Sequence, residues 1–76
     1  MGIIVKPAAI RILELLAEEA PLSATQISER LQIPYTTIKS LLSVARLLGA
    51  VEYYRGIRGA YILTDHGKKL VEQNRG

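Results

Sequence analysis

The chain has 76 residues, of which 49% are hydrophobic and none is cysteine, and its net charge is +3. This length predicts one domain, residues 1–76, with a modest core, while the composition excludes a disordered chain and a scaffold held by disulfides or cysteine-bound zinc. No apolar run is long enough for a membrane span or for the core of a signal peptide, so we expect a cytoplasmic protein without a membrane partner.

The charge is divided unevenly along the chain. Residues 1–29 carry two basic and four acidic side chains, a net of −2, whereas residues 30–76 carry eight basic and three acidic ones, a net of +5. A concentration of basic side chains attracts polyanions. The charge pattern therefore indicates that the second part of the chain holds the partner-binding surface.

The first helix is expected over residues 7–20, after an N-terminal arm of residues 1–6. Pro7 suits a first helical position, because its missing N–H has no partner there, and Pro21 ends the helix. Ile12 and Leu15 fall outside the main apolar face and form an apolar surplus. That face is predicted from helical spacing to consist of Ile10, Leu13, Leu16, Ala17 and Ala20.

Two further helices follow with only a short turn between them. Ser23 and Gln26 have the spacing of a capping box, which predicts a helix that begins after Ser23. Pro34 interrupts that helix and opens the next, which we expect over residues 34–48 with Gly49 as its left-handed C-cap. A helix, a short turn and a second helix form a helix-turn-helix unit. The buried face of the later helix is predicted to hold Ile38, Leu41, Leu42, Ala45 and Leu48.

Residues 51–63 predict a β-hairpin, because two β-prone runs flank a loop bounded by two glycines. Alternation directs four side chains inward, namely Val51, Tyr53, Tyr61 and Leu63. Thr64 is placed to cap a last helix over residues 65–73. The predicted class is α+β: a three-helix core, a two-stranded hairpin that covers its open side, and a C-terminal helix.

Three stretches of this chain resemble a known family. The run from Leu22 to Leu31, with Ile33 to Ile38, is similar to the helix-turn-helix of winged-helix regulators. Leu48-Gly49-Ala50-Val51 is similar to their turn from helix into wing, and Leu63-Thr64-x-x-Gly67 to their step from wing to last helix. The resemblance implies a winged helix-turn-helix regulator that binds double-stranded DNA, a repressor or autoregulator of a minimal archaeal type, viral or plasmid-borne forms included. Larger members carry a ligand domain that has no counterpart here, so neither a cofactor nor a small-molecule ligand is expected.

The resemblance also implies that the helix over residues 34–48 is the recognition helix and enters the major groove. Thr36 and Thr37 each offer a hydroxyl and a methyl group to base edges. Lys39 can reach O6 and N7 of guanine, and Arg46 is expected on a phosphate. The candidate DNA-binding residues of this helix are Tyr35, Thr36, Thr37, Lys39, Ser40, Ser43 and Arg46.

The hairpin is then the wing, which would lie on the DNA backbone or in the minor groove. Its candidate residues are Tyr54, Arg55 and Arg58, because arginine suits phosphates and narrow minor grooves. The alternative is that hairpin tips are exposed and often charged in any protein. Four further residues are candidates for contact with the DNA backbone, namely Ser23, Arg30, Lys68 and Lys69. Each has a structural alternative: a helix cap for Ser23, an ion pair or solvent for Arg30, and a solvated helix face for the lysines.

Neither a metal site nor an active site is expected. His66 is the only histidine, and no other metal-ligating residues cluster with it. The sequence also lacks a cysteine nucleophile, a glycine-rich phosphate loop and paired acids near the histidine. We therefore expect no enzyme.

Two alternatives stay open at this stage. The first is a winged-helix module that binds another protein within transcription or replication machinery, which predicts an acidic or apolar recognition helix. The second concerns partners, since an apolar surplus predicts a homodimer on palindromic DNA. The N-terminal segment could instead fold back over the first helix. The surplus comprises Ile3, Ile4, Val5, Ile12, Leu15, Val44 and Leu47.

Overall fold

The computed structural model describes residues 6–74 and confirms the predicted α+β class. The predicted elements occur in the predicted order, with one further strand between the first two helices. Most of the N-terminal arm, including Ile3, Ile4 and Val5, lies outside the described residues. The elements are α1 (Ala8–Glu19), β1 (Leu22–Ser23), α2 (Ala24–Leu31), α3 (Tyr35–Leu47), β2 (Val51–Tyr53), β3 (Ala60–Leu63) and α4 (Asp65–Gln73).

The wing belongs to an antiparallel sheet of three strands in the order β1-β3-β2. Sequence patterning predicted only β2 and β3. The added strand pairs Leu22 with Tyr61 and Ser23 with Ala60. Two residues are too few to show alternation, which explains why the sequence did not predict β1. The extended backbone that Ser23 adopts as N-cap of α2 is also the backbone that a strand needs.

The core is centred on α2 and α3. Ile27, Ile38 and Leu42 are fully buried, and α1 covers them with Ile12 and Leu16. Burial of one such side chain contributes about 1.5–3 kcal/mol to the free energy of unfolding. These contacts fix the position of α3 against the rest of the domain.

The predicted buried face of α1 was partly wrong. Ile12 was assigned to the surplus but is almost completely buried, whereas Ala17 and Ala20 were assigned to the core and are exposed. The helix packs against α2, α3, α4 and β3 at once, and the large side chains on its rotated face fill that space better than two alanines. Leu15 is partly buried against the same core.

Two predicted inward side chains also lie elsewhere. Tyr53 is 50% exposed because β2 is an edge strand, so one side of its ring has no strand beside it. Leu48 is 66% exposed because α3 ends at Leu47 and Leu48 lies at the open rim of an apolar hollow. The other predicted inward residues of the hairpin, Val51, Tyr61 and Leu63, are buried.

The predicted caps at Ser23 and Thr64 are confirmed. Gly49 was expected as the C-cap of α3, but Leu48 is that cap, and Gly49 follows it in a left-handed conformation with φ 76°. The Gln26 N–H donates to Ser23 Oγ at 3.1 Å, and the Ser23 N–H donates to Gln26 Oε1 at 2.9 Å. At the last helix, the Gly67 N–H donates to Thr64 Oγ1 at 3.0 Å, while the Thr64 hydroxyl donates to the carbonyl of Gly49. Thr64 therefore joins the start of α4 to the end of α3.

The turn between α2 and α3 is held by two hydrogen bonds. The Ser28 hydroxyl donates to the carbonyl of Ile33 at 2.6 Å, and the Ile33 N–H donates to the carbonyl of Ser28 at 3.3 Å. Gln32 adopts a left-handed conformation with φ 58°, which reverses the chain after α2. Together these contacts set the angle at which α3 leaves the turn.

Gly67 allows α4 to lie directly against the chain at Ala50. A Cβ at this position would overlap the carbonyl oxygen of Ala50, a backbone atom that cannot move aside. We expect Gly67→Ala to lower the free energy of unfolding by about 1–3 kcal/mol, measured by urea denaturation. Lys68→Ala on the same helix is exposed and should change it by less than about 0.5 kcal/mol. Equal stability of the two variants would show that this close approach does not exist.

Candidate nucleic-acid interface

Helix α3 presents one continuous outer face. Thr36, Ser40 and Ser43 are spaced by four and three residues, so they lie in line opposite the buried Ile38 and Leu42. Leu47, which is 88% exposed, continues the same line by one more turn. We call these four residues the outer strip. It holds three hydroxyls followed by one apolar side chain.

The hydroxyls of the outer strip differ in whether they already form a hydrogen bond within the protein. The Ser43 hydroxyl donates to the carbonyl of Lys39 at 3.0 Å, one turn earlier in the helix. Within residues 6–74, the hydroxyls of Thr36 and Ser40 form no hydrogen bond, and both side chains are exposed. The N-terminal part of the strip therefore has donors and acceptors that are available to a partner.

The other candidate residues of α3 lie on its two flanks. At 100° per residue, Tyr35, Lys39 and Arg46 fall on the flank that faces the wing, which their neighbours in the sheet confirm. Thr37 and Val44 fall on the opposite flank, on the side of Leu48. Lys39 and Arg46 thus lie beside the outer strip and not on it.

A hollow of about 400 Å³ lies between α3 and the wing. The start of α2 closes one side of it, with Ser23 and Ala24, and Gly59 of the hairpin loop closes another. We call it the wing hollow. The other residues that line it have a hydroxyl or a positive charge, namely Thr25, Tyr35, Lys39, Tyr53, Arg58 and Tyr61.

Arg46 braces α3 against the wing. Its guanidinium carbon lies 4.1 Å from the centre of the Tyr53 ring, and that ring lies 5.1 Å from the ring of Tyr61 at an angle of 41°. A cation over an aromatic face is attracted by the negative potential of the ring. Arg46, which was expected on a phosphate, is exposed and also contacts the half-exposed Tyr53.

Tyr61 brings a protonated hydroxyl to the wing hollow. Burial raises the pKa of Tyr61, and the neighbouring Tyr53 hydroxyl raises it further, while the positive charge of Lys39 lowers it by less. The net direction is upward from an ordinary pKa near 10. At neutral pH the phenol is therefore neutral and can donate a hydrogen bond.

The wing residues are divided between two places. Arg58 lines the wing hollow, across from Lys39. Arg55 is exposed in the hairpin loop, and the Tyr54 ring lies against Gly56 in the same loop. Only Arg58 of the predicted wing residues is thus brought beside α3.

The four additional candidates for contact with the DNA backbone are dispersed. Arg30 forms an ion pair with Glu19 of α1, and the Ser23 oxygen is engaged as the cap of α2. Lys68 lines a separate hollow with Ala17, between α1, β3 and α4. Lys69 is exposed on α4. Of these residues only Ser23 lines the wing hollow, and Arg30, Lys68 and Lys69 lie away from it.

Sequence reasoning missed three residues of the wing hollow: Thr25, Tyr53 and Tyr61. The two tyrosines were assigned to the core, although they are cross-strand partners in the hairpin. A tyrosine buries its ring and needs a polar surrounding for its hydroxyl, so a pair of them near a sheet edge indicates a border between core and surface. Thr25 in the first turn of a helix gave no comparable signal.

The part of the chain that the structure describes holds no group of three or more potential metal-ligating side chains. Its helices are also too short or too polar to cross a membrane.

Comparison with known proteins gives one family match and several structural neighbours. The family described as the IclR helix-turn-helix domain matches residues 9–53. No curated protein sequence gives a significant match.

The structural neighbours share the fold at low sequence identity. A MarR family protein of Mycobacterium tuberculosis is 17% identical with a TM-score of 0.81, over 93% of this chain and 52% of that one. Reduced MarR from E. coli is 19% identical with a TM-score of 0.80, over 91% and 50%. Lactococcus lactis ZitR, solved in complex with DNA, is 18% identical with a TM-score of 0.77, over 99% and 53%. The chain thus spans about half the length of these proteins.

The contact between Arg46 and Tyr53 can be measured by a double-mutant cycle. We expect a coupling free energy of about 0.5–1 kcal/mol, the range for cation–π pairs that solvent reaches. The measurement compares urea unfolding of Arg46→Ala, Tyr53→Ala and the double variant with the parent chain. A pair of Arg55→Ala and Tyr53→Ala serves as control and should be additive. A coupling near zero for Arg46 would show that it does not brace the wing.

Proposed function

The chain belongs to the IclR helix-turn-helix domain family, whose members are DNA-binding transcription regulators and not enzymes, and from that membership we propose that it binds double-stranded DNA sequence-specifically and represses transcription. The observation that carries the proposal is the outer strip of α3, whose free hydroxyls stand clear of the core beside a cation-lined hollow. A strip of this kind is what a recognition helix requires.

The outer strip suits the major groove. An α-helix fits within the width of that groove, where each base pair presents a distinct set of donors, acceptors and methyl groups. Thr36 and Ser40 would reach base edges with their hydroxyls, and Thr37 would reach them from the flank. Ser43 and Leu47 continue the strip toward the C-terminus of α3, where Leu47 can contact a thymine methyl group.

The wing would contribute affinity rather than base discrimination. Arg55 is exposed at the hairpin tip and can approach the backbone or the minor groove, and the ring of Tyr54 beside it can contact a sugar. Lys68 and Lys69 would at most add backbone contacts, because they lie on α4. Contacts of this kind make binding dependent on salt and independent of sequence.

Solved structural neighbours support DNA binding by this fold. The ZitR structure and one structure of the M. tuberculosis MarR family protein contain DNA. The second of these has a TM-score of 0.79 to this chain. The proposal extends to a repressor or autoregulator in the cytoplasm, because a protein seated on a duplex excludes polymerase from the same site without any further contact.

The base-reading role of α3 is tested by selection from random duplexes. We expect Ser40→Ala to change the preferred base at one position and to weaken the selected site by about 1–3 kcal/mol, since it removes a base contact. Arg55→Ala is the matched comparison and should weaken all duplexes to a similar extent. The measurement is fluorescence anisotropy with the selected duplex and with single-base variants.

An unchanged base preference in Ser40→Ala would contradict the assignment of the outer strip. A chain that passes through a DNA column at moderate salt would favour the alternative function, a protein-binding module.

We also propose that two copies act together on a palindromic site. Val44 is 52% exposed on the flank of α3 away from the wing, next to the exposed Leu48. A hollow of about 170 Å³ lies beside them, lined almost entirely by apolar side chains of α1, α3 and α4, among them Ile10 and Leu70. An apolar surface of this kind is stabilised when a second copy covers it.

The proposed pairing is tested by the number of copies bound per duplex. Leu48→Gln keeps the net charge but places a polar group on the apolar surface, so we expect it to reduce two copies per duplex to one. Ala17→Gln, on an exposed part of α1, is the control and should keep two. Sedimentation or light scattering of the complex gives the count. One copy of the parent chain both with and without DNA would reject the dimer and favour the N-terminal arm as the cover.

A further inference from the structure

The wing hollow joins two positive charges that come from different elements. Lys39 reaches it from α3 and Arg58 from the hairpin loop, and none of its described lining residues is acidic. The ion pairs that the structure gives within residues 6–74 involve Lys6 and Arg30, so neither hollow cation is neutralised by a carboxylate. Two unpaired cations around a concave surface concentrate positive potential there.

Hydrogen-bond donors surround the same space. Tyr61 lines the hollow although the residue is only 3% exposed, and its hydroxyl lies near Tyr53 and Lys39, which line the same hollow. Tyr35, Tyr53 and Thr25 add three more hydroxyls. Because the pKa of Tyr61 is raised, its phenol stays protonated at neutral pH and can donate a hydrogen bond.

The first turn of α2 adds backbone donors. The capping box engages the N–H of Gln26, which leaves the N–H groups of Ala24 and Thr25 without a partner inside the helix. Both residues line the wing hollow. Free N–H groups at the start of a helix favour an anion.

We propose that the wing hollow binds one phosphate of the DNA backbone, held between Lys39 and Arg58. The inference rests on the proposed function and assigns Lys39 a role different from the guanine contact that its sequence position predicted. Lys39 lies on the flank of α3, not on the outer strip, and its neighbours are donors that suit an oxyanion. A bridging phosphate would hold α3 and the wing in one fixed register on the duplex.

The site is tested by neutralising one phosphate at a time. The selected duplex is made with single methylphosphonate linkages at successive positions near the α3 contact, and the affinity of each duplex is measured for the full chain. At one linkage we expect the parent chain to lose about tenfold in affinity, because charge-assisted hydrogen bonds are lost. Lys39→Ala and Arg58→Ala should each lose clearly less than the parent at that same linkage, since one of the two cations that hold the phosphate is already absent.

Salt dependence and base preference give a second readout. Each of the two variants should lower the slope of log affinity against log salt by about 0.9, the value for one phosphate contact, while the preferred bases stay unchanged. Arg55→Ala is the matched control: it removes a wing cation outside the hollow and should keep the full sensitivity at the linkage identified.

The outcomes are distinguishable. If no duplex is bound, the proposed function fails and this site fails with it. If the parent chain binds but Lys39→Ala alters the base preference and keeps the parent's sensitivity at every linkage, DNA binding stands and the phosphate site is wrong. If the two variants lose their sensitivity at different linkages, Lys39 and Arg58 do not share one phosphate.

Discussion

The burial of Ile27 against the inner face of α3 is the contact on which the remaining structure depends. Ile38 and Leu42 are completely shielded from solvent on that face, and the rotation of α3 about its axis follows from this burial. Once the two apolar side chains are inside, Thr36, Ser40 and Ser43 must lie outside, because a helix turns by about 100° per residue. The same packing therefore stabilises the domain and presents its candidate recognition surface.

The position of the wing depends on a second set of contacts. Thr64 and Gly67 bring the start of α4 against the end of α3, and the two residues of β1 attach the hairpin to the start of α2. Arg46 then connects the C-terminal part of α3 with the edge strand through the Tyr53 ring. The wing hollow exists because these contacts come from three parts of the chain that are distant in sequence.

Hydroxyl groups and charged groups occupy different parts of the candidate interface. Short hydroxyl side chains occupy the outer strip, where distance to a partner is smallest and hydrogen bonds have direction. The cations that line the wing hollow occupy the flank, where long side chains can meet a diffuse negative charge without entering the strip. One cation on that flank, Arg46, also contacts the Tyr53 ring and so links α3 to the edge strand.

The sequence by itself determined the class of fold, the order of its elements apart from β1, and the caps of α2 and α4, because Ser23, Thr64 and the three prolines act through neighbouring residues. It also determined that α3 would be amphipathic. Only the tertiary structure decided that Ile12 is core, that Tyr53 lies at an open edge, and that Lys39 faces Arg58 across a hollow. Those outcomes depend on which element covers which face, and contacts between residues far apart in the chain leave no periodicity that a single sequence can show.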